Sequence, residues 1–176
     1  MGRQSAELVG LDIAVMTVSD KHDAESDTSG NYLCQAVIQA GHRVADYTVI
    51  SNNCYQIRAV VSRWIASDQI QAAVINGGTG FNSKNSTPEA LLPLFDREVE
   101  GFGELFRMLS WKEIGSATLQ SRALAGMANQ TLIFAIPGAV SACQLAWEQI
   151  IVRQLDVRTT PCNFFPHLKK SELCHD

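Results

Sequence analysis

No run of eighteen or more apolar residues occurs in this 176-residue sequence, so no segment reads as a membrane-spanning helix. The first residues, Met1-Gly2-Arg3-Gln4-Ser5-Ala6-Glu7, also lack the apolar core of a secretory signal, and a cytoplasmic protein is expected. The cysteines lack a framework: Cys34, Cys54, Cys143, Cys162 and Cys174 are odd in number, form no C-x-x-C pair and have no histidine at zinc spacing. They read as reduced thiols, with Cys34 and Cys143 as small buried hydrophobes inside apolar helical stretches. Surplus positive charge is missing too. Fourteen lysines and arginines against eighteen acids leave a net charge of −4, which argues against a nucleic-acid surface. A small phosphorylated ligand is not excluded, because a few backbone amides and one or two cations hold a phosphate. Internal repeats and low-complexity linkers are absent as well.

What is present is apolar material for one core: 46% of residues are hydrophobic, and the length suits a single domain. Short apolar runs at residues 11–18, 43–50, 71–76 and 131–136 read as strands. Helical spacing appears between them. Tyr32, Leu33, Ala36, Val37 and Ala40 mark a first helix after a polar loop at 21–30, with Gly41 as its cap. Ile57, Val60, Val61, Trp64 and Ile65 mark a second, and Leu145, Trp147, Ile150 and Ile151 mark a late one. Between Glu89 and Met127, interruptions near Gly101 and Gly115 predict three helices. This alternation predicts an α/β fold, a three-layer α/β/α sandwich with a mostly parallel central sheet, whose ligands bind beyond the carboxyl ends of the strands. The domain is expected over residues 1–157, with residues 158–176, which hold Pro161 and Pro166, as an extended arm or loose tail.

The strongest local signal is Gly77-Gly78-Thr79-Gly80, which joins an apolar strand to a helix start at Thr87-Pro88-Glu89, with Thr87 read as the N-cap and Pro88 at the first helical position. Glycine permits positive φ and close approach of the backbone to a phosphate, and free N–H groups there attract anions. An isolated glycine loop is more often an ordinary tight turn. Other segments shift that balance.

Gly77-Gly78-Thr79-Gly80 followed by Thr87-Pro88-Glu89-Ala90 resembles the signature of the MoaB/MogA molybdopterin-binding family. Asp27-Thr28-Ser29-Gly30 resembles that family's D-x-S-G element. Gly101-Phe102-Gly103-Glu104-Leu105-Phe106-Arg107 resembles its P-G-F-G-E-x-x-R segment, and Pro137-Gly138 its later turn. Ser121-Arg122 fits too, and the helix around Ala90 to Arg107 points to the MoaB branch. The resemblance implies binding of molybdopterin, a pterin dithiolene with a phosphate, and in MogA-type members adenylyl transfer from Mg-ATP to that phosphate. It also implies a homo-oligomer, a trimer or hexamer. The ligand-binding positions it implies are Ser29, Gly30, the loop Gly77, Gly78, Thr79 and Gly80, and then Thr87, Glu89, Glu104, Arg107, Ser121, Arg122, Pro137 and Gly138; Ser19 and Asp20 in the first loop join them. Asp27 and Glu89 are the candidate magnesium ligands, and Asp27, Asn52 and Asn85 the candidate catalytic positions.

Two departures divide the reading. Asn85 stands where the family has an aspartate, and Asn52 aligns with a second acidic position. An amide oxygen carries no charge and is no general base at neutral pH. The sequence therefore supports either an adenylyltransferase-like enzyme or a non-catalytic molybdopterin carrier. Ala139-Val140 also replace the serine and proline usual after the later turn.

Bland readings stand beside the remaining candidates. Asp20, Asp23 and Glu25 form an acidic group that binds a metal or is merely solvated; for Asp23 and Glu25 solvation is favoured. Glu104 and Arg107, three apart, read as a surface ion pair or as ligand contacts. Arg122 is as readily a surface residue as a phosphate contact. His22, His42, His167 and His175 share no metal spacing, and Trp64, Trp111 and Trp147 read as packing residues.

Overall fold

Strand β1 (Asp12–Val18) alternates its side chains between two cores. Ile13 and Val15 join one apolar cluster, while Ala14, Met16 and Val18 join another on the opposite face. Strand β3 (Ala72–Asn76) and strand β6 (Thr131–Ile136) are likewise buried along their whole length, as strands covered on both faces must be. The larger apolar side chains among them, such as Val74, Ile75 and Phe134, each contribute about 1.5–3 kcal/mol when withdrawn from water. A computed structural model describes residues 7–170; Cys174, His175, residues 1–6 and the end of the expected arm lie outside the described residues.

The sheet has the order β2-β1-β3-β6-β5-β4, where β2 is Arg43–Ile50, β4 is Arg97–Glu98 and β5 is Leu124–Ala128. The pairs β1/β2, β1/β3 and β3/β6 are parallel, while β5 runs antiparallel to both β6 and β4. Helix α1 (Thr28–Gln39), helix α4 (Glu100–Ile114) and helix α5 (Val140–Ala146) cover one face. Helix α2 (Cys54–Ala66) and the short helix α3 (Thr87–Leu91) cover the other. The expected three-layer α/β/α fold is thus the one observed.

Several expectations need correction. Helix α1 begins inside the stretch expected to be loop: Asp27 caps it by accepting from Gly30 N at 2.9 Å. The three helices expected between Glu89 and Met127 are instead α3, the continuous helix α4, a 3-10 segment at Gly115–Gln120 and two antiparallel strands. Gly101 lies in the first turn of α4 and does not interrupt it. Thr87 is not the N-cap of α3; Ser86 holds that place, and the Thr87 hydroxyl is used elsewhere. Trp64 and Trp147 are buried as expected, but Trp111 is 58% exposed. Beyond the last helical turn (Val152–Leu155), the chain lies against the body: Leu168 is buried, and Lys169 Nζ donates to the Ile65 and Ser67 carbonyls at 2.7 and 2.6 Å.

Candidate functional site

The loops after β1, β2, β3 and β6 leave the sheet at one edge, and the glycine loop is the most constrained of them. Gly77 and Gly78 hold φ of +93° and +66°, a region that disfavours any side chain. At Gly77 a Cβ would stand 2.3 Å from the Val18 carbonyl oxygen, so the backbone itself excludes one. The loop's carbonyls are tied down. Thr87 Oγ1 donates to Gly77 O at 2.9 Å, Thr87 N to Gly78 O at 3.1 Å, and Arg122 N to Thr79 O at 3.2 Å. The N–H groups of Gly78, Thr79, Gly80 and Phe81 have no acceptor among the described residues. A row of free donors on a rigid backbone is an anion receptor.

The first three of these, Gly78, Thr79 and Gly80, line a cleft of about 520 Å³. Of the residues singled out in the sequence, it gathers the whole Gly77-Gly78-Thr79-Gly80 loop, together with Ser19 and Asp20 after β1 and Asn52 after β2. Asn85, Ser121, Pro137 and Gly138 complete that set. Five lining residues were not anticipated: Val18, Lys21, and on the far wall Ile114, Ala117 and Gln120. Lys21, the lone cation on the wall, was legible as the basic residue beside Asp20; the far wall depends on how α4 ends, which no motif encodes. Asp20 accepts from Asn52 N at 2.8 Å, joining two loops. Two acceptor-capable oxygens in the wall, Asn52 Oδ1 and Ser121 Oγ, are buried without a partner.

Asp27 and Ser29 belong to an adjoining cleft of about 230 Å³. Strand alternation aims Thr17 and Asn76 at the start of α1, where Ser29 Oγ lies 2.9 Å from Asn76 Oδ1 and Asn76 Nδ2 donates to Thr17 Oγ1 at 2.8 Å. Tyr47 OH donates to Asp27 at 2.7 Å. Burial pushes the Asp27 carboxyl up, but hydrogen bonds from Thr17, Gly30 N, Tyr47 and Ser29 outweigh it and leave the group below its ordinary value. The same contact, with burial first, raises Tyr47 well above a normal phenol. Gly30 serves as the donor to Asp27 and lines neither cleft.

Besides Gly30, five candidates line neither cleft: Thr87, which ties the glycine loop, and Glu89, Glu104, Arg107 and Arg122. Glu104 is exposed on α4, while Arg107 donates to the Ala123 and Ser121 carbonyls at 3.1 and 3.4 Å; no Glu104–Arg107 ion pair occurs among the described residues. Glu89 pairs with Arg122. Asp27 and Glu89 are therefore held in separate networks, and no group of three His, Cys, Asp or Glu suited to a metal occurs among the described residues. Asp27 is saturated with donors, Glu89 is neutralised and Asn52 and Asn85 carry no charge, which leaves Asp20 as the one carboxylate lining the main cleft, so the donor set does not fit magnesium. Among the described residues, no helix is long and apolar enough to cross a membrane.

Comparison with known proteins adds a family. A family model described as "Probable molybdopterin binding domain" matches residues 14–157. Molybdenum cofactor biosynthesis protein B of Escherichia coli K12 is 59% identical over 170 residues, which span 97% of this chain and 100% of the relative. A crystal structure of molybdenum cofactor biosynthesis protein B superposes with a TM-score of 0.81 at 34% identity, covering 84% of this chain and 92% of that one. The tungsten cofactor synthesizing protein MoaB from Pyrococcus furiosus gives 0.73 at 32% identity, over 80% and 90% of the two chains.

Proposed function

The chain belongs to the molybdopterin-binding domain family of molybdenum cofactor biosynthesis proteins, and from that premise we propose that it binds molybdopterin with the ligand's phosphate on the glycine loop. One observation carries this reading: of four consecutive backbone donors without acceptors, from Gly78 to Phe81, the first three belong to residues that line a cleft also holding Lys21. Hydrogen bonds to a charged group are each worth about 1.5–3 kcal/mol, enough together to hold one phosphate against water. The apolar wall of Val18, Ile114, Ala117 and Pro137 suits the less polar body of the ligand.

We infer binding or carriage rather than adenylyl transfer. Two positions where the family resemblance implies acids are the amides Asn52 and Asn85, the candidate metal ligands Asp27 and Glu89 are engaged with protein donors, and Asp20 alone lines the main cleft as a carboxylate. Fluorescence titration with molybdopterin tests the first statement, and absence of saturable binding would defeat it. Incubation with molybdopterin, ATP and magnesium tests the second, where an adenylylated product would overturn it.

A cytoplasmic homo-oligomer is part of the same proposal. Leu105, Met108, Trp111 and Ile114 on α4 are 38–58% exposed, and Leu119 beyond them is 77% exposed, an apolar stripe that suits a second copy of the chain. A mass measured in solution equal to one chain would refute it.

A further inference from the structure

Arg122 was legible as a phosphate contact or a surface residue, and its geometry fits neither. Its Nε and Nη2 donate to Gly80 O at 3.1 and 2.9 Å, and Nη2 also donates to Asn85 O at 3.0 Å. Nη1 is paired with the Glu89 carboxylate, and the guanidinium lies over the Phe81 ring at 5.8 Å. The residue lines no part of the main cleft. In a trans peptide the N–H points opposite to the C=O. Fixing the Gly80 carbonyl on Arg122 therefore turns the Phe81 N–H away from Arg122, and fixing Thr79 O on Arg122 N does the same for the Gly80 N–H. Gly80 lines the cleft and Arg122 does not, so an amide turned from Arg122 is free to face a ligand held there. Thr87 performs the equivalent task for the N–H groups of Gly78 and Thr79 through the Gly77 and Gly78 carbonyls.

We propose that Arg122, anchored by Glu89, is a positioning residue that clasps the loop from behind and aims its last two amides at the ligand's phosphate without touching it. The inference rests on the phosphate reading above. It assigns Glu89 to the arginine rather than to a metal. A planar fork that reaches two carbonyls and a carboxylate at once cannot be replaced by a lysine ammonium, which acts as a point charge.

The test measures molybdopterin affinity at several salt concentrations for the unaltered protein, Arg122→Gln, Arg122→Lys and Glu89→Gln. Both arginine variants are expected to bind about tenfold more weakly, the loss of one charge-assisted hydrogen bond, with an unchanged salt slope. Glu89→Gln is expected to lose about threefold, and as the gentler change it keeps the idea testable if Arg122→Gln folds poorly. In the empty protein, ¹⁵N order parameters are expected to fall most at Phe81, whose peptide carries the released Gly80 carbonyl, and not at Gly78 and Thr79, whose ties to Thr87 are unaltered. Affinity retained in Arg122→Lys, or a flattened salt slope in Arg122→Gln, would make Arg122 a direct charge on the ligand and overturn the clasp. Unchanged order parameters would overturn it too. If the unaltered protein fails to bind molybdopterin, the phosphate reading falls, while the order parameters still decide whether the clasp exists.

Discussion

The two ends of the parallel strands treat their backbone polar groups in opposite ways. At the amino end, side chains close what the ladder leaves open. Gln71 Oε1 accepts from Asp12 N at 2.7 Å, His42 Nδ1 from Leu11 N at 3.2 Å, and Thr131 Oγ1 donates to Ile70 O at 3.0 Å. Asp12, buried, is paired with Arg43. At the carboxyl end the carbonyls of residues 77–80 are tied down by Thr87 and Arg122, yet the amides from Gly78 to Phe81 are left open. Fully paired backbone fastens an edge, whereas one-sided pairing makes a receptor of it. Substitutions at the two ends should therefore fail in different ways.

The largest effect is expected from Gly78→Val. Its Cβ would stand 2.2 Å from Thr87 Oγ1 and 2.8 Å from Asn52 Oδ1, on a backbone at φ +66°. Two or more phosphate hydrogen bonds should be lost, weakening molybdopterin binding by about a hundredfold in a titration. Retained affinity would remove the loop from the site. At the other end, Gln71→Ala is expected to lower unfolding free energy by about 2 kcal/mol in a urea titration by orphaning Asp12 N, with affinity unchanged. If affinity fell in step with stability, the two ends would not be separable. Asn85→Asp places a negative charge beside the loop. Without divalent cations, binding measured by calorimetry should weaken about fivefold, while thermal stability stays near that of the unaltered protein. Stronger binding would contradict an anion at this position.

The smallest effect separates the ends by pH. Burial lowers the pKa of His42, with Asp156 opposing it, so the unfolded chain takes up a proton first and stability declines as pH falls below about 6.5. Asp27 is lowered as well, although burial alone would raise it. As a depressed carboxylate, it keeps its contribution at neutral pH and loses it only below about 3.9, as pH falls through its folded value. Melting temperature against pH should thus fall in two windows. His42→Gln is expected to erase the first and Asp27→Asn to shrink the second, which Asp23 and Asp156, also held low, share; an acid window unchanged in Asp27→Asn would refute the assignment.

Strands β1, β2, β3 and β6 were legible because burial on two faces, or alternation at an edge, leaves apolar runs in the chain. Strand β5 was not: Leu-Ala-Gly-Met-Ala has little β propensity, and Gly126 is there because the Phe95 ring would meet a Cβ at 2.2 Å. The unbroken α4 was hidden by its glycines. Gly101 looks like a break in sequence, yet it lies in the helix's first turn with open space where a Cβ would stand, while Gly103 two residues on meets a packing demand, its Cβ site lying 2.7 Å from Ala123 O. At the site, the glycine loop and Asp27 could be read from local pattern. The uses made of Thr87, Glu89 and Arg122 could not, since each is defined by a partner between 10 and 42 residues away.

The open amides also bear on how much folded protein a cell keeps. Each unmade hydrogen bond is stability held in reserve, released only when an anion arrives. A ligand at a hundred times its Kd adds about 2.7 kcal/mol to the folded state, several degrees of melting temperature for a domain of this size. Ligand supply then sets the fraction exposed to proteases, so abundance itself would report the state of the cofactor pool.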